Sequence, residues 1–382
     1  MEFREIGKTG RTASVIGLGC EHLDRKPYET VSETVNAALD YGVNILDVFM
    51  PGKEIRENIA KALGNRRRDV MIQGHLGSTD LNQQYDISRD MHSVRKYFED
   101  LLRLFGGYID FGMLFFIDSD RDYEYVFEKG IADYALRLKE QGCVGHIGFS
   151  SHNPETAIKA INTGLPEMLM FSINPAFDML PAEEYVLDRF ETGISAGLLK
   201  GIDHKRARLY QLCAKKQIGI TAMKTFCAGK LLSPIHTPFA GALTTAQCIN
   251  YALSRPAVAS VLPGCQTAAE VRDVMRFFEL GAEARSYAEI IGSVRGTFKG
   301  NCVYCSHCLP CPSGIDIAAV CKCLDIARTE PENIPRSVRA VYSCLARDSG
   351  ECTACGCCEA RCPFGVPVIG NIAEAARLFA CP

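Results

Sequence analysis

The first 280 residues repeat one pattern eight times, a short apolar run followed by a stretch whose apolar residues recur with helical period. Runs suited to buried parallel strands stand at Ser14–Leu18, Val43–Asp47, Val70–Gln73, Tyr108–Phe115, Val144–Phe149, Met168–Ser172, Gly219–Met223 and Val258–Leu262. Amphipathic stretches accompany them at Glu29–Tyr41, Glu54–Leu63, Asp90–Phe105, Tyr125–Glu140, Pro154–Thr163, Lys205–Lys216, Thr245–Ser254 and Ala268–Phe278. Eight such units predict an α/β fold, a (β/α)8 TIM barrel with its active site at the C-terminal ends of the strands. A doubly wound sheet is the alternative, and the number of units weighs against it.

The last hundred residues carry a different signal. Of 19 cysteines, six lie in the first 300 residues and thirteen crowd into the rest. This places a boundary between 281 and 282, with the barrel at 1–281 and a small, mainly helical ferredoxin-like domain at 282–382. One run gives Cys302, Cys305, Cys308 and Cys311, followed by Pro312. A second gives Cys352, Cys355, Cys358 and Cys362, followed by Pro363. The second run matches the bacterial-ferredoxin spacing, and the first is one residue shorter in its last gap. Three thiolates two residues apart can wrap one cubane, while the fourth lies far enough along the chain to reach the other cluster. The expected ligand sets for two 4Fe-4S clusters are therefore Cys302, Cys305 and Cys308 with Cys362, and Cys352, Cys355 and Cys358 with Cys311. Two zinc knuckles are the alternative, which the number of cysteines disfavours. Cys321, Cys323, Cys344, Cys357 and Cys381 fall outside the pattern and are expected as buried free thiols.

Composition narrows the partners. Lysine and arginine (42) nearly balance aspartate and glutamate (45), which favours a small-molecule substrate and a redox partner protein over nucleic acid or a membrane. No stretch of eighteen apolar residues occurs and the N-terminus lacks a secretory pattern, so the chain is expected to be cytoplasmic.

Six segments in order give a resemblance: FREIGKTGRTASVIGLG, NILDVFMPGKEIRENIAKALGNRRRDVMI, GGYIDF, EQGCVGHIGFSSHNPE, GITAMKTFCAGKLL and VLPGCQTAAEV. Together with the cysteine runs, the chain resembles the aldo/keto reductases, in the branch with a C-terminal ferredoxin-like domain. The resemblance implies carbonyl reduction by an aspartate, tyrosine, lysine and histidine tetrad. Only the aspartate is matched here, at Asp47. Gly52 falls on the tyrosine position, His75 on the lysine and Phe115 on the histidine. Asp47 and His75 are then the candidate catalytic pair, and Phe115 an apolar wall beside it.

The implied nicotinamide site also departs from the family. Met170 stands for a glutamine, Glu270 for an arginine that contacts a 2'-phosphate, and Val274 for an asparagine, while Asn174 is kept. Lys224, Thr225 and Phe226 after the seventh strand, with Gly264 after the eighth, keep phosphate-binding character. These residues point to FMN as the barrel cofactor, with NADP(H) as the alternative. The expected activity is an iron-sulfur oxidoreductase passing electrons between the clusters and a substrate or flavin. The alternatives are an NAD(P)H-dependent reductase with non-standard acid/base residues and a catalytically inert barrel that serves in electron transfer or docking. His22, His146 and His152 are expected mainly as structural histidines, and Asp118 as a helix cap or loop residue.

Overall fold

An antiparallel hairpin, β1 (Phe3–Glu5) and β2 (Thr12–Ser14), begins the chain. It brings Ile6 and Ala13, both fully buried, into one cluster with Ile45, Met71, Phe111 and Met168 from the strands that follow. Filled in this way, the strand-lined interior is packed core rather than pore, and function is confined to one end. The computed structural model describes every residue except 82–83, 183–184, 193, 195–198, 200, 293–299, 301 and 381–382.

Eight parallel strands surround that cluster: β3 (Leu18–Gly19), β4 (Ile45–Val48), β5 (Met71–Leu76), β8 (Ile109–Leu114), β9 (Val144–Ser151), β10 (Met168–Ser172), β11 (Gly219–Met223) and β12 (Val258–Val261). Isolated parallel bridges at Ile16–Val261 and Gly19–Gly264 join the last strand to the first and close the ring. The strands are buried on both faces, which is why they read as continuous apolar runs instead of alternating ones.

Three sequence expectations are corrected. The first run pairs in the sheet only at Leu18–Gly19, with Ile16 bridging, so the expected strand from Ser14 is shorter. The stretch expected as one helix from Tyr125 is broken at Gly130, whose φ of 101° lies outside helical space. A π turn, Glu124–Glu128, precedes it and a helix, Ile131–Glu140, follows. Between β5 and β8 an unexpected hairpin appears, β6 (Ser78–Leu81) and β7 (Gln84–Ile87).

Beyond the barrel, the described residues form helices at Ile317–Ala327, Arg336–Ser343, Cys357–Arg361 and Val368–Phe379. This region is fastened to the barrel by buried Arg255, whose guanidinium donates to Val303 O and lies 4.4 Å from the Tyr251 ring centroid and 5.1 Å from that of Tyr304. Tyr287 Oη donates to the same carbonyl at 2.9 Å. Among the described residues no helix is long and apolar enough to cross a membrane.

Candidate active site at the barrel mouth

Residues two apart on a strand share a face, so Gln73 and His75 of β5 point the same way, opposite Asp47 of β4. His75 Nε2 lies 2.7 Å from Asp47 Oδ1, and Gln73 Nε2 donates to the same oxygen at 3.1 Å. Asp47 and His75 are each 2% exposed. A carboxylate accepts, so Nε2 carries a hydrogen towards Asp47 and Nδ1 is turned away from it. That Nδ1 is buried and has no partner among the described residues.

An aromatic wall encloses the pair. Phe115 meets the His75 ring edge-on at 5.3 Å, Phe49 lies 6.0 Å from His75, and Tyr85 from the unexpected hairpin meets Phe49 at 5.3 Å. Phe116, at φ 58°, is a left-handed residue without glycine's freedom. Arg89 holds this turn by donating to Phe115 O at 2.9 Å and Phe116 O at 2.7 Å. The sequence thus identified three members, Asp47, His75 and Phe115. It missed Gln73, although Gln73 stands two residues before His75 on one strand, and it missed Phe49 and Tyr85.

On the far side of the mouth, Lys224, Cys227 and Ala228 all have positive φ, a concentration of backbone strain in one loop. Asn174 braces this loop: its Nδ2 donates to Lys224 O at 2.9 Å while its Oδ1 accepts from Phe177 N. Both ends of the Asn174 amide are therefore engaged within the protein. Thr225 is buried, and its Oγ1 has no partner among the described residues. Phe226 follows, half-buried.

Gly264 and the helix after it are already occupied. A Cβ at 264 would lie 2.5 Å from His22 Cδ2, so the close approach that glycine allows here is that of the His22 ring. At the helix Ala268–Met275, Thr267 Oγ1 accepts from Glu270 N and Glu270 Oε2 accepts from Gln266 N. The start of this helix thus carries a carboxylate of its own, which disfavours a phosphate there.

Asp118 is more than a cap. Its Oδ1 accepts from His152 N at 2.6 Å and Ser151 Oγ at 3.1 Å, while its Oδ2 lies 2.9 Å from His152 Nδ1 and accepts from Tyr185 Oη at 2.8 Å. Burial pushes the Asp118 carboxyl up, but the bonds from His152 and Tyr185 outweigh it and hold the group below the usual carboxylate range. Burial, with help from the cations Lys224 and Arg206, depresses the His152 imidazole despite Asp118. His146 instead pairs with Glu167 at 3.1 Å.

The cluster cysteines fall into two neighbourhoods. Cys311, Cys352, Cys355 and Cys358 line one cavity of about 20 Å³. Cys362 lies within electrostatic reach of Cys305 and Cys308, which are neighbours of Cys302. Cys321 hydrogen-bonds Cys302, and Cys357 hydrogen-bonds Cys355, so two cysteines outside the spacing pattern sit beside those within it. No described cysteine is in a disulfide; Cys321 and Cys323 are buried as expected, Cys344 and Cys357 are exposed, which corrects that expectation for them, and Cys381 lies outside the described residues. Among the described residues, no group of three or more His, Cys, Asp or Glu side chains is placed to hold a metal ion.

An eight-stranded parallel barrel with polar strand ends defines an enzyme-like scaffold, and comparison with known proteins identifies which one. The aldo/keto reductase family model matches residues 15–293. The chain belongs to the aldo/keto reductase family. It is 23% identical over 300 residues to the uncharacterized oxidoreductase YqkF of Bacillus subtilis (strain 168), covering 72% of this chain and 90% of that protein. Its fold is similar to that of the aldo-keto reductase AKR11C1 from Bacillus halodurans in its holo form, with a TM-score of 0.56 and 17% identity, over 77% of this chain and 96% of that one. The protein is accordingly an oxidoreductase by family.

Proposed function

We propose that this chain is an NAD(P)H-dependent oxidoreductase acting on a small molecule, with Asp47 and His75 as its acid/base pair. The observation that carries this reading is the buried 2.7 Å Asp47–His75 contact, which leaves His75 Nδ1 without a partner among the described residues beside the Phe49–Phe115 wall. Gly52 and Phe115 cannot move a proton at the two other positions where the family resemblance expects one. Asp47 orients the ring, and His75 Nδ1 gives or takes the substrate proton. A bound nicotinamide would supply the hydride. Thr225 Oγ1, which has no partner among the described residues, and the cation Lys224 are groups of this chain suited to a polar, phosphate-bearing cofactor.

A nicotinamide takes precedence over the flavin expected from sequence. Family membership favours it, and Gly264, one of the residues that pointed to a flavin phosphate, is closely approached by the His22 ring.

The division at 281/282 and the two 4Fe-4S sites belong to the same proposal. Their support is the cross-run grouping of Cys311 with Cys352, Cys355 and Cys358, and of Cys362 with Cys305 and Cys308. A cubane bonds each thiolate to a different iron corner, so its ligands stand farther apart than around one tetrahedral ion, where sulfurs bound at about 2.3 Å nearly touch. When bound, such clusters would supply one-electron transfer to a partner protein.

Titration of the full-length protein with NADH and with NADPH, followed by calorimetry, tests the cofactor. Saturable binding of one of them supports the reading. No binding of either, in protein retaining its fold, would overturn it.

A further inference from the structure

Beside the end of β9 lies a cavity of about 60 Å³, lined by His152, Phe177, Leu180, Tyr185 and Arg206 among others. Most polar atoms on its wall are committed. Tyr185 Oη donates to Asp118, Arg206 donates to Asp178 and Ser172 O, and Asn153 Oδ1 caps the helix Pro154–Asn162. His152 Nε2 differs: it is buried and has no partner among the described residues.

Asp118 fixes which proton this ring carries. Its Oδ2 faces Nδ1, so Nδ1 bears the hydrogen and Nε2 presents a bare lone pair. Burial and the nearby cations Lys224 and Arg206 keep the ring neutral. The Asp47–His75 pair has the opposite connection, with Nε2 on the carboxylate and Nδ1 left over. Phe115 and Phe116 separate the two imidazoles, with Phe116 5.1 Å from His152 and Phe115 5.3 Å from His75.

We propose that the Asp118–His152 pair builds a second ligand site at the barrel mouth, which takes a small hydroxyl-bearing molecule whose O–H donates to His152 Nε2. A bare lone pair accepts, so the site selects an alcohol over a carbonyl compound of the same size, which would leave both acceptors facing each other. The apolar flank of Phe177 and Leu180 suits a short carbon skeleton next to that hydroxyl. Nothing in this site requires a nicotinamide or an iron-sulfur cluster, so its test is independent of the oxidoreductase reading.

Long-range proton-nitrogen NMR of the full-length protein, labelled with 15N-histidine, reads the ring directly, and the His152→Gln spectrum assigns it. The expected result is an Nδ1–H tautomer whose Nε2 resonance shifts saturably with 2-propanol and not with acetone. In Asp118→Asn the oxygen must stay toward the backbone N–H of His152, so the amide nitrogen faces Nδ1 and drives the proton to Nε2. That variant should then gain a response to acetone, which the wild type lacks, because its Nε2–H can donate to a carbonyl oxygen. An Nε2–H tautomer in the wild type, or a His152 resonance that 2-propanol does not move, would overturn the proposal even if the variant fails to fold.

Discussion

Arg206 Nε donates to Asp178 Oδ1 at 2.8 Å, and both side chains are almost completely removed from solvent. The carboxylate also accepts from Tyr210 Oη at 2.5 Å and Tyr251 Oη at 2.9 Å, so one buried anion ties the helix His204–Lys216 to the helix Thr245–Ser254 beneath the mouth. Removing one partner of a buried pair strands the other. Arg206→Leu should therefore lower unfolding stability by about 3 kcal/mol. Arg206→Leu with Asp178→Asn should recover part of that loss, because the second change removes the stranded charge. Urea denaturation of the three proteins checks this, and a single-variant loss within error of zero would contradict it.

The two cysteine neighbourhoods give a prediction about shared iron. If Cys311 belongs with the second run, Cys311→Ala and Cys355→Ala should each lose about four of about eight irons per chain, and the double variant should lose the same four. Cys302→Ala should remove the other set. Anaerobic iron and sulfide analysis decides it. Additive loss in the Cys311, Cys355 double variant would show that each run ligates its own cluster.

Acid stability follows from Asp118 and His152. Asp118 has a depressed folded pKa, so its contribution is complete above the usual carboxylate value of about 4 and disappears as pH falls through the folded value. His152 is also depressed, so the neutral ring contributes fully above its unfolded value of about 6.5 and that stability is lost as pH falls. Both act in the same direction. The Asp118→Asn, His152→Gln double variant should lose less stability than the wild type between pH of about 7 and 3, a span that takes in both losses. Chemical denaturation at the two pH values measures the difference, and parallel losses would rule out a role for this pair.

The barrel was legible because its strands are buried on both faces and its helices on one, so burial wrote two different periods into the chain. Asp47, His75 and Phe115 were singled out by the positions they take in the family resemblance, and the structure brings the three together. The β6–β7 hairpin was not: Leu81 and Tyr85 are both exposed there, so burial imposes no alternation. The hub at Asp118 was hidden for another reason. Its partners Ser151, His152 and Tyr185 come from 33 to 67 residues away, a distance that no local pattern spans. Gly264 was recognised as a point of close approach, but which group approaches, His22, depends on the loop after β3.

The most direct test of the assignment at the mouth is the turnover of His75→Gln. Glutamine is close in size and can still donate to Asp47, but it cannot accept and release a proton at neutral pH. Against a panel of small carbonyl and alcohol substrates with NADH or NADPH, the variant should bind the cofactor as the wild type does and turn over about 10²-fold to 10⁴-fold more slowly. Turnover within a factor of about two of wild type, at unchanged cofactor affinity, would contradict the account and move the proton-transfer role away from the Asp47–His75 pair.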